Sequence, residues 1–287
     1  MVYHTLISPD RLATALAVGG PGTPLVLDCS FELTDLAAGQ RAYAAGHIPG
    51  AHYVHLERSL SAPKTGRNGR HPLPTREGFA AVMAAMGADD DTQVVACDNA
   101  GGMYAARLWW MLRWVGHRAA SVLDGGMAAW KAAGLTLSTE PPAPTRPGRF
   151  SLRPALVRTV DYELVKANIA RPGFQVLDAR APERFRGENE TLDPVGGHIP
   201  GARNRLFRDN LDAGGRFKAP ALLRQEFDAL TEGRPAHEIV SQCGSGVTAC
   251  HNLLAMELAG LHGAALYPGS WSEWSAQPGA PIATGAA

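Results

Sequence analysis

The sequence of 287 residues lacks several features that identify common classes of protein. Its 27 basic residues are balanced by 27 acidic ones, so its overall charge favours neither nucleic acid nor an anionic membrane as a partner. It contains no run of about 18 apolar residues, the length that a membrane-spanning helix needs. The N-terminus, Met1-Val2-Tyr3-His4, lacks the basic and apolar regions of a signal peptide. We therefore expect a cytoplasmic protein that binds neither nucleic acid nor a membrane.

Cysteine is also scarce, because the chain has only Cys29, Cys97, Cys243 and Cys250. No two of them have the C-x-x-C spacing, and no cluster of histidine and cysteine has the spacing of a zinc site. We therefore expect neither a metal ion nor another cofactor. Sparse cysteine usage fits a reducing compartment.

What the sequence does contain is one pattern written twice. The segment 47–51, His-Ile-Pro-Gly-Ala, recurs in identical letters at 198–202. Three further pairs of segments keep the same order along the chain: 25–28 with 175–178, 94–96 with 239–241, and 124–130 with 268–274. The chain therefore consists of two copies of one domain, which we assign to 1–137 and 158–287. The stretch 138–157 between them is too rich in proline for a helix, and we interpret it as an extended linker.

Each copy alternates short apolar segments with longer helical patterns. In the first copy we predict strands at 25–28, 93–96 and 119–123. Helices are predicted to begin at Ser8-Pro9 and at Thr75, to run through 108–115, and to surround Trp130. Such alternation predicts an α/β fold of two tandem domains, each a mostly parallel, doubly wound sheet flanked by helices. Ligands of such sheets bind beyond the carboxyl ends of the strands.

Cys243 lies at such a strand end. A β-like run leads into it, and an amphipathic helical pattern follows from Thr248. Between them, Gly244 and Gly246 alternate with small residues. Glycine permits the left-handed backbone angles that turn successive N–H groups inward, and a helix N-terminus adds partial positive charge. We therefore predict that Cys243 is a reactive thiolate in a loop that wraps one anionic sulfur atom.

The loop Cys243-Gly244-Ser245-Gly246-Val247-Thr248 resembles the active-site loop of rhodanese-type sulfurtransferases, and in particular that of 3-mercaptopyruvate sulfurtransferases. In thiosulfate sulfurtransferases of this family, the second and third loop positions are typically basic. The resemblance covers about residues 8–278 and implies two rhodanese-like domains, of which only the second is catalytic. It also implies that Cys243 carries the transferred sulfur as a persulfide and that the residues from Gly244 to Thr248 contact the donor. The first copy has Asp98 at the position of Cys243, and so lacks the nucleophile.

Recognition of the donor's anionic group calls for arginine, whose planar fork matches a carboxylate. In the family, the arginine before an aromatic residue contacts substrate, which corresponds here to Arg184. Mercaptopyruvate enzymes often have a second arginine about nine residues later, where this sequence has Asp193. This departure weakens the case for a keto acid unless Arg186 supplies the second fork. A surface ion pair is the alternative role for Arg184.

The resemblance also suggests residues for proton transfer. Family members have been interpreted as using a loop serine together with a histidine and an acidic residue of the first domain. Ser245 matches the serine, His71 matches a His-x-x-Pro stretch, and Glu57 lies where the family has aspartate. A serine polarised by histidine would be a proton source near neutral pH. A purely structural role is the alternative for all three.

Several other residues have simpler interpretations. Arg180 is expected to pair with Asp178, and the strand-end aspartates Asp28 and Asp178 occur in both copies, which favours a scaffold role. The repeated His47 and His198 are expected to be turn residues. Burial is the expected state of the remaining residues in question: Cys97, Cys250, Trp271 and Trp274.

Three functions from different classes remain. The first is a sulfurtransferase that takes sulfur from 3-mercaptopyruvate, or alternatively from thiosulfate, and passes it to cyanide or to a thiol such as thioredoxin. The second is a phosphatase. Related phosphatase loops are one residue longer and end in arginine, whereas the position six residues after Cys243 is Ala249 in this sequence. The third is a sulfur-relay or binding module with a protein acceptor. The intact Cys243 loop favours the first.

Overall fold

The computed structural model describes residues 2–20, 22–143 and 146–286. The chain forms two compact units, each of which contains segments from more than one part of the sequence. Unit 1 comprises the residues before 62 together with 74–156 and 213–217. Unit 2 comprises 62–73, 157–212 and the residues from 218 onward. The segment 62–73, which lies within the first copy in the sequence, therefore packs within unit 2.

Unit 1 contains a five-stranded sheet in the order β1-β5-β4-β2-β3, in which every pair of neighbours is parallel. Its strands are β1 (Leu6–Ile7), β2 (Leu25–Asp28), β3 (His52–Tyr53), β4 (Val94–Cys97) and β5 (Ala120–Leu123). Its helices are α1 (Pro9–Val18), α2 (Ala38–Ala45), α3 (Leu56–Ser59), α4 (Arg76–Ala85), α5 (Ala105–Trp114) and α6 (Gly126–Ala132). The sheet confirms the predicted parallel α/β class.

Unit 2 repeats the arrangement, with the sheet order β6-β10-β9-β7-β8 and only parallel pairs among these strands. Its strands are β6 (Arg158–Thr159), β7 (Gln175–Asp178), β8 (Arg203–Asn204), β9 (Ile239–Gln242) and β10 (Ala265–Leu266). Its helices are α7 (Tyr162–Ala170), α8 (Pro182–Arg186), α9 (Pro220–Thr231), α10 (Thr248–Leu258) and α11 (Ser270–Trp274). Two turns of 3₁₀ helix, Phe207–Asn210 and Ala236–Glu238, precede α9 and β9.

The predicted central strands and helix starts of the first copy are confirmed to within one residue. β4, and β2 up to its final Asp28, are continuous apolar runs that are almost wholly buried, as expected for strands covered by helices on both faces. The side chain of Ser8 caps α1 by accepting the Arg11 N–H, and that of Thr75 caps α4 by accepting the Gly78 N–H.

The duplication predicted from the sequence is visible in the register of the strands. In unit 1 the last residue of β4, Cys97, pairs with Asp28. In unit 2 the last residue of β9, Gln242, pairs with Asp178. Because Cys97 and Gln242 are equivalent, the next residues, Asp98 and Cys243, are equivalent too. Both follow the carboxyl end of a central strand, where such sheets bind ligands.

Each unit buries its own core. Cys97 belongs to the core of unit 1, Trp271 and Trp274 belong to that of unit 2, and Cys250 is fully buried, which confirms the burial predicted for these four residues. One detail of the prediction was wrong. The pattern after Thr248 suggested an amphipathic helix, but α10 is buried on all sides from Thr248 to Met256. Its polar residue Asn252 is satisfied within the core, because it accepts a hydrogen bond from the Asn210 amide at 2.6 Å and donates to Arg205 O.

The stretch predicted as a linker packs against unit 1. Within its described residues, which exclude 144 and 145, no helix forms. Backbone hydrogen bonds fasten it: Gly148 N–H donates to Ala84 O at 2.8 Å, and Leu156 N–H donates to Arg113 O at 3.0 Å. Up to residue 156 the stretch is therefore part of unit 1. Over the described residues, none of the helices combines the length and apolar character that crossing a lipid bilayer requires.

Candidate active site

Cys243 is fixed by its own backbone at the junction of β9 and α11. Its N–H donates to Ser270 Oγ at 3.1 Å, and its carbonyl accepts the Trp271 N–H at 2.9 Å. The next carbonyl, that of Gly244, accepts the Ser272 N–H at 2.9 Å. The residue is buried, and α10 begins only five residues later at Thr248. The predicted order of strand, tight loop and helix is therefore present.

The two loop glycines are needed for different reasons. Gly246 has a left-handed φ of 72°, and a Cβ there would lie 2.3 Å from Pro268 O, so no side chain fits. Gly244 does not have a left-handed φ. A Cβ at Gly244 would lie 2.9 Å from Arg70 Nη2 and 3.6 Å from Arg184 Nη1. The expectation of left-handed angles at both glycines was therefore wrong for Gly244, whose missing side chain instead makes room for two guanidinium groups.

Ser270 is a residue that the sequence analysis did not assign to the site. It is fully buried, and its φ of 56° is left-handed, which is uncommon for a residue other than glycine. Its hydroxyl donates to Tyr267 O at 2.9 Å while accepting the Cys243 N–H. Strained angles of this kind persist where the surrounding contacts require them. Here the strained residue places its hydroxyl within hydrogen-bond distance of the Cys243 N–H.

Ser245 and His71 lie together, as the resemblance implied. His71 Nδ1 is 2.8 Å from Ser245 Oγ, and both residues are buried. The pair lies within unit 2, because His71 belongs to the segment 62–73. Glu57 lies in unit 1, where its N–H donates to His55 Nδ1 at the start of α3. The role predicted for Glu57 stays a prediction.

Arg184 projects from α8 and is fixed on one side by two carboxylates. Its Nε and Nη2 donate to Glu190, and Nη2 also lies 3.2 Å from Asp193 Oδ2. Its side chain is only 19% exposed, so this is not the solvated surface pair considered as the alternative. The Nη1 side lies next to Gly244, immediately after Cys243.

Arg70 is the second guanidinium at this position, and sequence reasoning missed it. Its Nη1 donates to Asp193 Oδ1 at 2.6 Å, and its backbone N–H donates to Ser272 Oγ at 2.8 Å. Its Nη2 faces Gly244. The sequence could have indicated Arg70 because it directly precedes His71. A segment that places His71 beside Ser245 also places the neighbouring Arg70 close to the loop.

Two carboxylates hold this pair of arginines. Asp193 bridges them, with one oxygen to each, and its side chain is 3% exposed. Burial raises the pKa of Asp193, while the charges of Arg70 and Arg184 act in the opposite direction. For Glu190 burial acts in the same way, but hydrogen bonds from Arg184 and from backbone N–H groups bring its pKa below the ordinary value.

Arg186 has different neighbours. It donates to Glu188 through Nε and Nη2 at 2.8 and 2.7 Å, and its side chain is 36% exposed. It lines a groove of about 450 Å³ together with Arg203, Asn204 and Leu230. The contacts of Arg186 therefore differ from those of Arg70 and Arg184, and its predicted contact with substrate stays a prediction.

The residues predicted to be structural have structural contacts. Arg180 donates to the carboxylate of Asp178 through Nε and Nη2, and its guanidinium lies 4.6 Å from the ring centre of Trp271. The two repeated histidines have matching environments. His47 stacks on Tyr43 and His198 stacks on Phe185, and each donates from Nδ1 to the backbone carbonyl of the residue on which it stacks.

In the first copy the loop after the central strand encloses its own carboxylate. The carboxylate of Asp98 is fully buried and accepts four backbone N–H groups, those of Ala100, Gly102, Tyr104 and Ala105, at 2.8 to 2.9 Å. Backbone N–H groups before and at the start of α5 thus enclose the carboxyl group of Asp98 in unit 1. In unit 2 the equivalent position is a cysteine. A thiolate or persulfide is the anion that the side chain at this position can supply.

Comparison with known proteins agrees with this arrangement. The model of the rhodanese-like domain matches residues 9–133 and again 161–277. The chain is 52% identical over 263 residues to a probable 3-mercaptopyruvate sulfurtransferase of Pseudomonas aeruginosa, covering 91% of this chain and 92% of that protein. It is 37% identical over 289 residues to the thiosulfate sulfurtransferase of Bos taurus, covering 96% and 93% of the two chains.

Among solved structures, SseA of Escherichia coli, described among the 3-mercaptopyruvate sulfotransferases, superposes with a TM-score of 0.77 at 30% identity. The superposition covers 93% of this chain and 98% of that one. Two domain matches, high identity over most of the chain and the shared fold together identify the family. The chain belongs to the rhodanese family, with two rhodanese-like domains in tandem, and is a sulfurtransferase.

Proposed function

We propose that the protein takes sulfur from 3-mercaptopyruvate, carries it as a persulfide on Cys243, and passes it to a thiol or to cyanide. The observation that carries this proposal is the position of Gly244. It directly follows the nucleophile, and the guanidiniums of Arg70 and Arg184 lie against it. A small anionic donor bound by these two arginines has its sulfur beside Cys243.

The charge and shape of 3-mercaptopyruvate suit these residues. Its carboxylate is planar and matches a guanidinium fork, and Arg70 and Arg184 offer two such forks on one side of the loop. The loop itself has no charged side chain between Cys243 and Thr248. Gly244, Ser245, Gly246, Val247 and Thr248 would then contact the donor sulfur through backbone and small side chains. Arg186 remains the further candidate for contact with the donor.

In the first half-reaction the Cys243 thiolate attacks the donor sulfur. A sulfur–sulfur bond forms, the carbon–sulfur bond of the donor breaks, and its electron pair remains on the departing three-carbon fragment as the enolate of pyruvate. The donor's thiol proton stays on the outer sulfur or is lost to solvent. The enolate takes up one proton at carbon to become pyruvate. The enzyme is left with one added sulfur atom.

Ser245 and His71 are suited to stabilise this leaving group. When His71 donates from Nδ1 to Ser245 Oγ, the serine hydroxyl hydrogen is available to the carbonyl oxygen on which the enolate charge develops. Hydrogen bonds aimed at developing charge lower the barrier most effectively in buried sites, and both side chains are buried. Glu57 is retained as the candidate acidic residue that supports His71.

In the second half-reaction an acceptor attacks the outer sulfur of the persulfide. A thiol acceptor, such as that of thioredoxin, becomes a persulfide, and cyanide becomes thiocyanate; in each case Cys243 leaves as thiolate. We propose that this takes place in the cytoplasm. We further propose that residues 158–287, with the segment 62–73 packed among them, form the catalytic domain, and that the domain at 1–137, joined to it by the stretch 138–157, lacks a nucleophile.

Thiosulfate is the second candidate donor. Two guanidiniums also suit a sulfonate group, and relatives at 36–37% identity are named thiosulfate sulfurtransferases. Their names alone do not decide the donor, because the relative at 52% identity is named for mercaptopyruvate. Transfer of sulfur through Cys243 is common to both candidates.

One experiment tests the carrier and the donor together. Incubation with 3-mercaptopyruvate, followed by intact-mass analysis, is expected to show one added sulfur on the wild-type protein and none on Cys243→Ser. Specificity constants for 3-mercaptopyruvate and thiosulfate, measured with cyanide as the common acceptor, are expected to favour 3-mercaptopyruvate. Persulfide formation on Cys243→Ser would reject the carrier. A wild-type preference for thiosulfate would reject the donor.

A further inference from the structure

Asp193 has an unusual place in this site, because one buried carboxylate serves both guanidiniums. Its Oδ1 accepts from Arg70 Nη1 at 2.6 Å and its Oδ2 lies 3.2 Å from Arg184 Nη2. The carboxylate is 3% exposed, whereas each arginine side chain is 19% exposed. The bridge therefore lies behind the two guanidiniums and leaves them accessible.

Asp193 is itself held firmly. Its N–H and that of Leu192 both donate to Glu190 Oε1, at 3.1 and 2.8 Å, which folds the segment 190–193 around the Glu190 carboxylate. Glu190 in turn receives Arg184 through Nε and Nη2. Arg70 Nη1 also lies 3.3 Å from Leu192 O. Both arginines are thus oriented by one short segment of chain.

The charges of this cluster balance. Three guanidiniums, those of Arg70, Arg180 and Arg184, contact three carboxylates, those of Asp178, Glu190 and Asp193. A donor that enters therefore finds no net positive charge to neutralise. Each further negative charge is repelled by the carboxylates at short range, and partial burial weakens solvent screening of that repulsion. This repulsion therefore weakens the binding of a donor with one negative charge less than that of a donor with two.

We infer that Asp193 is a specificity-determining positioning residue: it orients Arg70 and Arg184 for a carboxylate and, by cancelling part of their charge, disfavours dianionic sulfur donors. At neutral pH 3-mercaptopyruvate carries its one carboxylate charge, whereas thiosulfate carries two. This inference rests on the proposed role of the two arginines in donor binding. It assigns to Asp193 a positive role in selecting mercaptopyruvate, although the sequence alone suggested that an aspartate there would disfavour a keto acid.

The test is the ratio of the two specificity constants, thiosulfate over 3-mercaptopyruvate, with cyanide as acceptor. Asp193→Asn keeps the size of the side chain and removes its charge, and is expected to raise the ratio by about tenfold or more. Asp193→Glu keeps the charge and is expected to hold the ratio within about threefold of wild type, even where both rates fall. Asp228→Asn is the matched control, because it removes the same charge from an exposed pair with Arg224 on α9 of the same unit.

An unchanged ratio in Asp193→Asn, or a shift toward 3-mercaptopyruvate, would overturn the inference. Loss of both activities in equal proportion would overturn it too, since damage to the fold lowers both rates together and leaves the ratio unaltered. The proposed donor is judged separately, by the wild-type ratio. If wild type preferred thiosulfate, the donor assignment would fail while a further shift in Asp193→Asn would still support the charge effect.

Discussion

Gly126 and Ser270 have the same left-handed φ, 56°, at the same point of the two copies. In each copy the next residue donates its N–H to the residue after the central strand: Met127 to Asp98 O and Trp271 to Cys243 O, both at 2.9 Å. In the first copy a glycine adopts this angle without strain, whereas the second copy has a serine there. The strained backbone of Ser270 is therefore found in the copy where the Ser270 hydroxyl accepts the Cys243 N–H.

Substitutions at Ser270 separate strain from hydrogen bonding. Ser270→Ala keeps the left-handed strain and removes the acceptor of the buried Cys243 N–H, so we expect it to lower the free energy of unfolding by about 1–3 kcal/mol. Ser270→Gly removes the same hydroxyl but relieves the left-handed strain of the backbone. We therefore expect its free energy of unfolding to fall by about 1 kcal/mol less than that of Ser270→Ala. Chemical denaturation measures both. If Ser270→Gly were the less stable variant, strain at this residue would be ruled out as a cost.

Arg70 and Arg184 are expected to act on donor binding. Arg70→Ala and Arg184→Ala each remove a partly desolvated charged contact worth about 2–5 kcal/mol, so the specificity constant for 3-mercaptopyruvate is expected to fall at least about tenfold. Arg224→Ala, on the exposed face of α9, is the control and is expected to change it less than about twofold. A change below about twofold in both active-site variants would place these arginines outside the donor site.

The pair of Ser245 and His71 is expected to matter for mercaptopyruvate and not for thiosulfate. Ser245→Ala and His71→Asn are expected to lower kcat with mercaptopyruvate by about 10² or more, because its enolate leaving group needs a hydrogen bond and a proton. Sulfite, which leaves from thiosulfate, needs neither. The double variant is expected to lose little more than either single one, since the two side chains act as a unit.

The same two-donor assay then tests Glu57, because Glu57→Gln should lower mercaptopyruvate turnover selectively if it supports His71. Equal losses with both donors in the Ser245 and His71 variants would instead indicate a structural role for the pair. An unaltered rate in Glu57→Gln would remove Glu57 from the list of functional candidates.

The loop can also be tested by adding charge. Ser245→Lys introduces, two residues after Cys243, the basic residue that the resemblance associates with thiosulfate enzymes at this position. We expect the ratio of specificity constants to move toward thiosulfate, because a dianion gains more from an added cation than a monoanion does. Ser245→Met, similar in length but uncharged, controls for the loss of the Ser245 hydroxyl and for the bulk of the new side chain, so the charge effect is the shift beyond that of Ser245→Met. A shift of equal size in both variants would mean that the added charge has no effect.

Asp98 is expected to be important for stability. Its buried carboxylate accepts four backbone N–H groups, and Asp98→Asn would turn an amide donor toward some of them. We expect the free energy of unfolding to fall by about 2–4 kcal/mol. Asp91→Asn, at an exposed position of the same unit, is expected to change it by less than about 0.5 kcal/mol. Equal effects of the two substitutions would contradict the role assigned to the Asp98 carboxylate.

The sequence predicted the fold well where patterns are long. The duplicated segments and the apolar runs at β2, β4, β7 and β9 identify the centre of each sheet. The edge strands β1, β3, β6 and β8 were missed, because each has only two residues and two residues carry no periodicity. The burial of α10 on all sides was also missed, since it depends on partners such as Asn210 that are distant in the sequence.

For the site, the sequence was most informative where a motif is local. The Cys243 loop and the pairing of Ser245 with His71 followed from resemblance, and the structure contains both. Arg70 and Ser270 were missed because their importance arises from contacts across 174 and 27 residues of chain, with Gly244 and Cys243 respectively. Asp193 illustrates the same limit: in the sequence it replaces an expected second arginine, whereas in the structure it bridges Arg70 and Arg184.

The enclosed carboxylate of Asp98 constrains how the first copy can evolve. α5 begins at Ala105, seven residues after Asp98, whereas α10 begins five residues after Cys243, so the two loops differ in length as well as in composition. A single change of codon from aspartate to cysteine would place a shorter side chain among N–H groups that are spaced for a carboxylate. A cysteine in the environment of Cys243 would require deletions in the first loop together with the substitution. The first copy therefore cannot acquire the arrangement of the second by one substitution.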